Sequence, residues 1–228
     1  MPTFDPSKFK SPEARPIPIV LLLDTSTSME GEKIDSLNSA VGEMIGTFAR
    51  EMGEFSTVVA AISFGGQVTC HYNPPYKKSS EIQWEELHIS GATPMGEALK
   101  MAKAMIDDKE TTKGNWYRPT VILVSDGQPN DSWEQPMDNF INNDRSAKCD
   151  RWAMAIGNDA DEGVLGRFIA GTSNPLFYAH NAKDVHKFFK MVTMSVYTRS
   201  KSKEPNEVPL PPSYDTSNTS KGYQDAFY

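Results

Sequence analysis

The chain has 228 residues, 38% of them hydrophobic, enough to bury a sizeable core in a single medium-sized domain. A formal charge of −7 at neutral pH argues against nucleic acid or an anionic membrane surface as a main partner. The first residues carry no apolar signal-peptide core and no run is long enough to span a bilayer, so the expected location is the cytoplasm.

In chain order, an apolar run over 17–23 reads as a strand buried on both faces, ending abruptly in Asp24-Thr25-Ser26-Thr27-Ser28. A helix over 29–50 follows, with Ile34, Leu37, Val41, Ile45 and Phe48 at the spacing of one face. A strand over 57–64, the turn Gly65-Gly66 and an alternating segment over 67–72 read together as a hairpin. Thr93-Pro94 opens a helix over 94–108, and a second apolar strand over 120–125 runs into Asp126-Gly127. Beyond it come a helix over 133–142, a strand over 152–156, a short helix over 162–169 and a weak strand over 176–179. The last helix spans 184–198, with Val185, Phe188, Phe189, Val192 and Val196 on its apolar face.

Strands alternating with helices predict an α/β fold: a Rossmann-like three-layer sandwich with a mostly parallel central sheet, one antiparallel edge strand and helices on both faces. The domain is expected over 15–199, with an N-terminal extension over 1–14. From 200 to 228 the composition turns to proline, serine, threonine and charge, too poor in aliphatic residues to fold alone. Within that tail the segment 208–214, Val-Pro-Leu-Pro-Pro-Ser-Tyr, favours polyproline II.

Polar residues at the carboxyl ends of parallel strands meet in one crevice, where open α/β sheets bind ligands. Asp24 and Asp126 both stand there, and the alternate residues Asp24, Ser26 and Ser28 converge when a loop curls over the strand end. Carboxylates and hydroxyls are hard donors that suit Mg²⁺ or Mn²⁺. Each residue also has a plainer reading: Asp24, Ser26 or Ser28 as the N-cap of the first helix, and Thr93 as the N-cap ahead of Pro94. Cys70 and Cys149 are too few and too far apart for a zinc motif and read as structural thiols. The four histidines have no metal-ligand spacing.

Together, Asp24-x-Ser26-x-Ser28, Thr93 and Asp126-Gly127 resemble the metal-ion-dependent adhesion site of von Willebrand factor type A domains. Within that superfamily the likeness is greatest to bacterial TerY-like proteins of the tellurium-resistance group, through Leu-Leu-Leu-Asp-Thr-Ser at 21–26, Gly-Ala-Thr-Pro-Met-Gly-Glu-Ala-Leu at 91–99 and Ser-Asp-Gly-Gln-Pro-Asn-Asp at 125–131. The resemblance implies that Ser26, Ser28 and Thr93 offer hydroxyl oxygens to a divalent cation. Asp24 and Asp126 would bind it directly or through water. Mg²⁺ is the implied metal, with Mn²⁺ and Ca²⁺ as alternatives. It further implies a protein partner whose acidic side chain takes an open coordination position, and a stress or defence role beside a kinase and a phosphatase. Thr27 departs from the family, which more often has glycine there. Around the rim, Met29, Glu30, Pro94, Met95, Gln128, Pro129 and Asn130 are expected to select the partner.

Two other functions compete. A phosphatase of the haloacid-dehalogenase type also places an aspartate beside Mg²⁺ at the end of its first strand, but its second aspartate, the acid and base two residues later, is here Ser26. No glycine-rich phosphate loop follows the first strand, which removes a nucleotide-binding reading. A scaffold with a non-adhesive metal site is the third possibility. The expected function is therefore a non-enzymatic interaction module.

Overall fold

The computed structural model describes residues 15–52, 57–126, 128–157 and 160–208. The expected N-terminal extension, Gly127 and the chain from 209 onward, with nearly all of the polyproline II segment, lie outside the described residues.

Among the described residues seven strands form one sheet: β1 (Ile17–Asp24), β2 (Thr57–Gly65), β3 (Gln67–Cys70), β4 (Lys77–Lys78), β5 (Thr120–Ser125), β6 (Asp150–Ile156) and β7 (Phe177–Ala179). The order is β3-β2-β1-β5-β6-β7, with β4 also on β2. β2, β1, β5, β6 and β7 run parallel, and β3 and β4 lie antiparallel along the outer edge of β2 as two pieces of one interrupted edge. Every residue of β1, β2, β5 and β6 is buried, as unbroken apolar runs require when both faces are covered.

Among the described residues five α-helices supply that cover: α1 (Glu32–Glu51), α2 (Met95–Asp107), α3 (Glu134–Asn142), α4 (Glu162–Ile169) and α5 (Ala182–Lys201). Ile19, Leu21 and Leu23 of β1 face α1 and α5, while Val20 and Leu22 face α2, α3 and α4. The chain passes from β1 to β2 on one side and later to β5 on the other. The sheet therefore has its topological switch point between β1 and β5, where Asp24 and Asp126 emerge.

The three-layer α/β architecture and its antiparallel edge match the sequence-based expectation. Several boundaries move, for physical reasons. α1 starts at Glu32 instead of 29, because Thr27–Met29 forms a 3-10 turn and Gly31 takes φ +80° between the two. β6 begins at Asp150, two residues early, because that aspartate and Arg151 are themselves buried and hydrogen-bonded. Residues 200–208, read as tail from composition, continue the folded unit. Ser200 and Lys201 belong to α5, Pro205 takes a hydrogen bond from Arg199, and Asn206 takes one from the Arg118 amide at 2.7 Å.

Cys149 is buried, and burial pushes its thiol up to about 12. A thiolate-seeking reagent at pH 8 should label half-buried Cys70 first and reach Cys149 only under denaturing conditions, read by mass spectrometry of the native and unfolded protein. Among the described residues no helix is long and apolar enough to cross a membrane.

Candidate functional site

Three loops close over the carboxyl end of β1 and β5, and backbone hydrogen bonds tie them together. The Thr25 amide donates to the Phe64 carbonyl at 3.0 Å, Ser90 to Thr25 at 2.7 Å, Thr27 to Gly91 at 3.0 Å and Gly66 to Ala92 at 2.7 Å. The third loop joins through the Asn130 amide, which donates to the Thr93 carbonyl at 3.1 Å. So close an approach needs a residue without a side chain at the end of β2. A Cβ on Gly65 would stand 2.4 Å from the Thr25 carbonyl oxygen and 2.6 Å from that of Ser90. Gly65→Ala should therefore push the two loops apart and destabilise the domain by about 1–3 kcal/mol, measurable by denaturant unfolding.

On this frame the side chains of Asp24, Ser26, Ser28 and Asp126 converge. Asp24 is fully buried, and one carboxylate oxygen accepts from the Ser26 amide at 2.8 Å while the other accepts from the Ser125 hydroxyl. The hydroxyls of Ser26 and Ser28 stand 3.0 Å apart, and Ser28 donates to Asp126 at 2.7 Å. Thr93 is buried at the mouth of the second loop, held by its backbone to both Asn130 and Met95. Burial raises the pKa of the Asp24 carboxyl, hydrogen bonds from Ser125 and Ser26 work against that, and the nearby Asp126 charge adds to it.

The plainer readings of these residues fare differently. α1 is preceded by Gly31, and neither its N-terminus nor the 3-10 turn takes a side-chain cap from Asp24, Ser26 or Ser28. α2 begins at Met95 with Pro94 in the cap position, so Thr93 is not its cap. That work falls to Asp131, whose carboxylate accepts from the Gly96 and Glu97 amides at 3.0 and 2.9 Å, pinning the third loop to the start of α2. Two expected rim residues are corrected as well. Met29 and Met95 are fully buried in the two apolar layers, leaving Glu30, Gln128 and Asn130 exposed and Pro94 and Pro129 partly so.

Sequence reasoning did not find Lys33, Ser125 or Asp131. Lys33 is the second residue of α1, and its ammonium pairs with Asp126 while donating to the Ser28 carbonyl at 3.1 Å. One signal was present: a cation in the first turn of a helix opposes the macrodipole, so it needs an anion of its own.

The donor set suits a hard divalent cation, being two carboxylates and three hydroxyls, all oxygen. Charge agrees, since two carboxylates face one ammonium and a negative surplus is left. Among the described residues no group of three or more His, Cys, Asp or Glu side chains is assembled, so the hydroxyls are indispensable to any such site.

The model of the von Willebrand factor type A domain family matches residues 19–191. Matrilin-3 of Gallus gallus is 25% identical over 150 residues, covering 63% of this chain and 32% of that protein. A von Willebrand factor type A structure from Catenulispora acidiphila superimposes with a TM-score of 0.63 at 17% identity, covering 80% of this chain and 43% of that one. The pilus adhesin SpaC of Lactobacillus rhamnosus GG, in its open conformation, gives a TM-score of 0.65 at 14% identity, with 81% and 30% covered. The chain thus spans less than half the length of each of these relatives. With the family model covering most of the chain and the fold agreeing, this protein belongs to the von Willebrand factor type A domain family, whose members are generally non-enzymatic modules of adhesion and protein interaction.

Proposed function

We propose that the chain is a metal-dependent protein-interaction module that holds a divalent cation at Asp24, Ser26, Ser28, Thr93 and Asp126 and recognises an acidic side chain of a protein partner there. The observation that carries this reading is the run of oxygens from Ser26 through Ser28 to Asp126, 3.0 and 2.7 Å apart, beside buried Asp24 at the switch point of the sheet. Mg²⁺ suits the donors best, with Mn²⁺ and Ca²⁺ as alternatives. When bound, the cation supplies a Lewis-acidic position for the partner's carboxylate.

The chain's own residues orient and select. The Ser26 amide and Ser125 hydroxyl fix the Asp24 carboxylate, and the rim of Glu30, Pro94, Gln128, Pro129 and Asn130 decides which partner fits around the shared carboxylate contact. Ser26 stands where a haloacid-dehalogenase-type phosphatase carries its acid and base, and a hydroxyl does not exchange protons in that role near neutral pH, which supports binding over catalysis. The motifs at 21–26, 91–99 and 125–131 extend the reading to a TerY-like cytoplasmic stress or defence system of bacteria, working beside a kinase and a phosphatase.

The test is affinity capture from the native lysate in Mg²⁺ and in EDTA, with wild type and Asp24→Ala as baits. The expected result is a partner held by wild type in Mg²⁺ alone and lost when its contacting Asp or Glu is neutralised. Equal capture by both baits in both buffers overturns the reading.

A further inference from the structure

Lys33 is the cation already resident at the site. Its ammonium pairs with one oxygen of Asp126, whose side chain is fully buried, and donates to the Ser28 carbonyl at 3.1 Å, while the Ser28 hydroxyl takes the other Asp126 oxygen at 2.7 Å. Both residues it touches belong to the proposed cation-binding set. The amine arrives over Gly157, just past the end of β6: a Cβ there would stand 3.1 Å from Lys33 Cε and 3.3 Å from Nζ, a close fit for the end of the lysine.

The geometry points to Lys33 as a tethered counter-cation that competes with the divalent metal for Asp126 and so sets the metal concentration at which the site becomes able to bind a partner. This rests on the metal-binding reading given above. Three observations support it. An ammonium and a divalent ion drawing on the same carboxylate repel each other strongly at a partly buried site. Glu32 and Asp35 stand in the same first turn of α1, yet the amine pairs with Asp126 from across the site. The displaced amine has room to move, because a cavity of about 70 Å³ lies beside it, with Glu32, His180 and Asn181 among its lining and Ile156, Ala179 and Val185 forming its apolar part. At about one third exposed, the lysine side chain can leave without opening the core.

Isothermal titration of the intact chain with MgCl₂ tests this, using wild type, Lys33→Met, Lys33→Gln, Lys33→Arg and Asp24→Ala. Wild type should bind one equivalent and Asp24→Ala none. Lys33→Met and Lys33→Gln should each bind about tenfold tighter than wild type, equivalent to about 1.4 kcal/mol. Lys33→Arg keeps the charge and should bind no tighter than wild type. If wild type binds and Asp24→Ala does not, but the neutral variants match wild type within a factor of two, competition by Lys33 is wrong and the metal-binding reading survives. Weaker binding in the neutral variants would make Lys33 a support for the loop, again overturning competition. The absence of a binding event in wild type and every variant would overturn the metal-binding reading itself.

Discussion

Arg199→Met should lower the unfolding free energy by about 3–5 kcal/mol, because it leaves a buried carboxylate without its cation. Arg199 is fully buried at the amino ends of the strands, opposite the candidate site. Its guanidinium donates to the Pro205 carbonyl at 2.9 Å, the Thr120 hydroxyl at 2.7 Å and the Arg118 carbonyl at 2.7 Å, and lies 3.7 Å from Asp150. Asp150 in turn accepts from Trp152 at 2.9 Å and Asn174 at 2.8 Å. The network ties the end of α5 and the chain after it to β5 and β6. Removing the arginine leaves Asp150 with hydrogen bonds from Trp152, Asn174 and Thr120 but no guanidinium beside it, whereas adding Asp150→Asn should restore part of the loss. Denaturant unfolding of both single variants and the double variant measures this; strict additivity of the two losses would mean that the pair is not coupled.

Asp24→Asn should have opposite effects with and without metal. Burial and the neighbouring Asp126 charge raise the Asp24 pKa in the folded state, so the charged form costs stability. For a carboxyl raised on folding, the cost is fully present above the folded pKa and relieved as pH falls through it toward the unfolded value. At pH 7 in EDTA the neutral isostere avoids that cost, and the Ser26 amide and Ser125 hydroxyl still find partners on the asparagine. The variant should therefore melt higher than wild type, by about 2–4 °C for a gain of about 1 kcal/mol. Mg²⁺ at a hundred times its dissociation constant should add about 2.7 kcal/mol to wild type, a rise of roughly 5–10 °C, and nothing to Asp24→Asn. Thermal melts in the two buffers read both effects, and an equal rise in the two proteins would place metal binding elsewhere.

What could be read from the sequence was what short-range pattern encodes. The apolar runs of β1 and β5 dictated parallel strands buried on both faces, and with them the convergence of Asp24 and Asp126 at one edge. Ser26 and Ser28 were legible only as a set with Asp24, since either hydroxyl alone reads equally well as a helix N-cap. Lys33 was not, because a lysine on an amphipathic helix ordinarily faces water, and its partner Asp126 comes from a distant strand. Asp131 was hidden in the same way, since it caps a helix that precedes it in the chain and so leaves no local capping signature. Arg199 marked the expected end of the domain because a charged residue there resembles the start of a polar tail. Only the fold shows that Asp150, Thr120 and Pro205 surround it. Met29 and Met95 were misplaced to the rim because adjacency in sequence to a loop does not say which way a side chain turns.

If three loops build one cation site, a crystal grown in MnCl₂ reveals it through the anomalous signal of manganese. The expected map has a single strong peak enclosed by Asp24, Ser26, Ser28, Thr93 and Asp126, with the Lys33 ammonium moved off Asp126. A well-ordered map of the same loops with no peak there, or with manganese bound only at other residues, would contradict it.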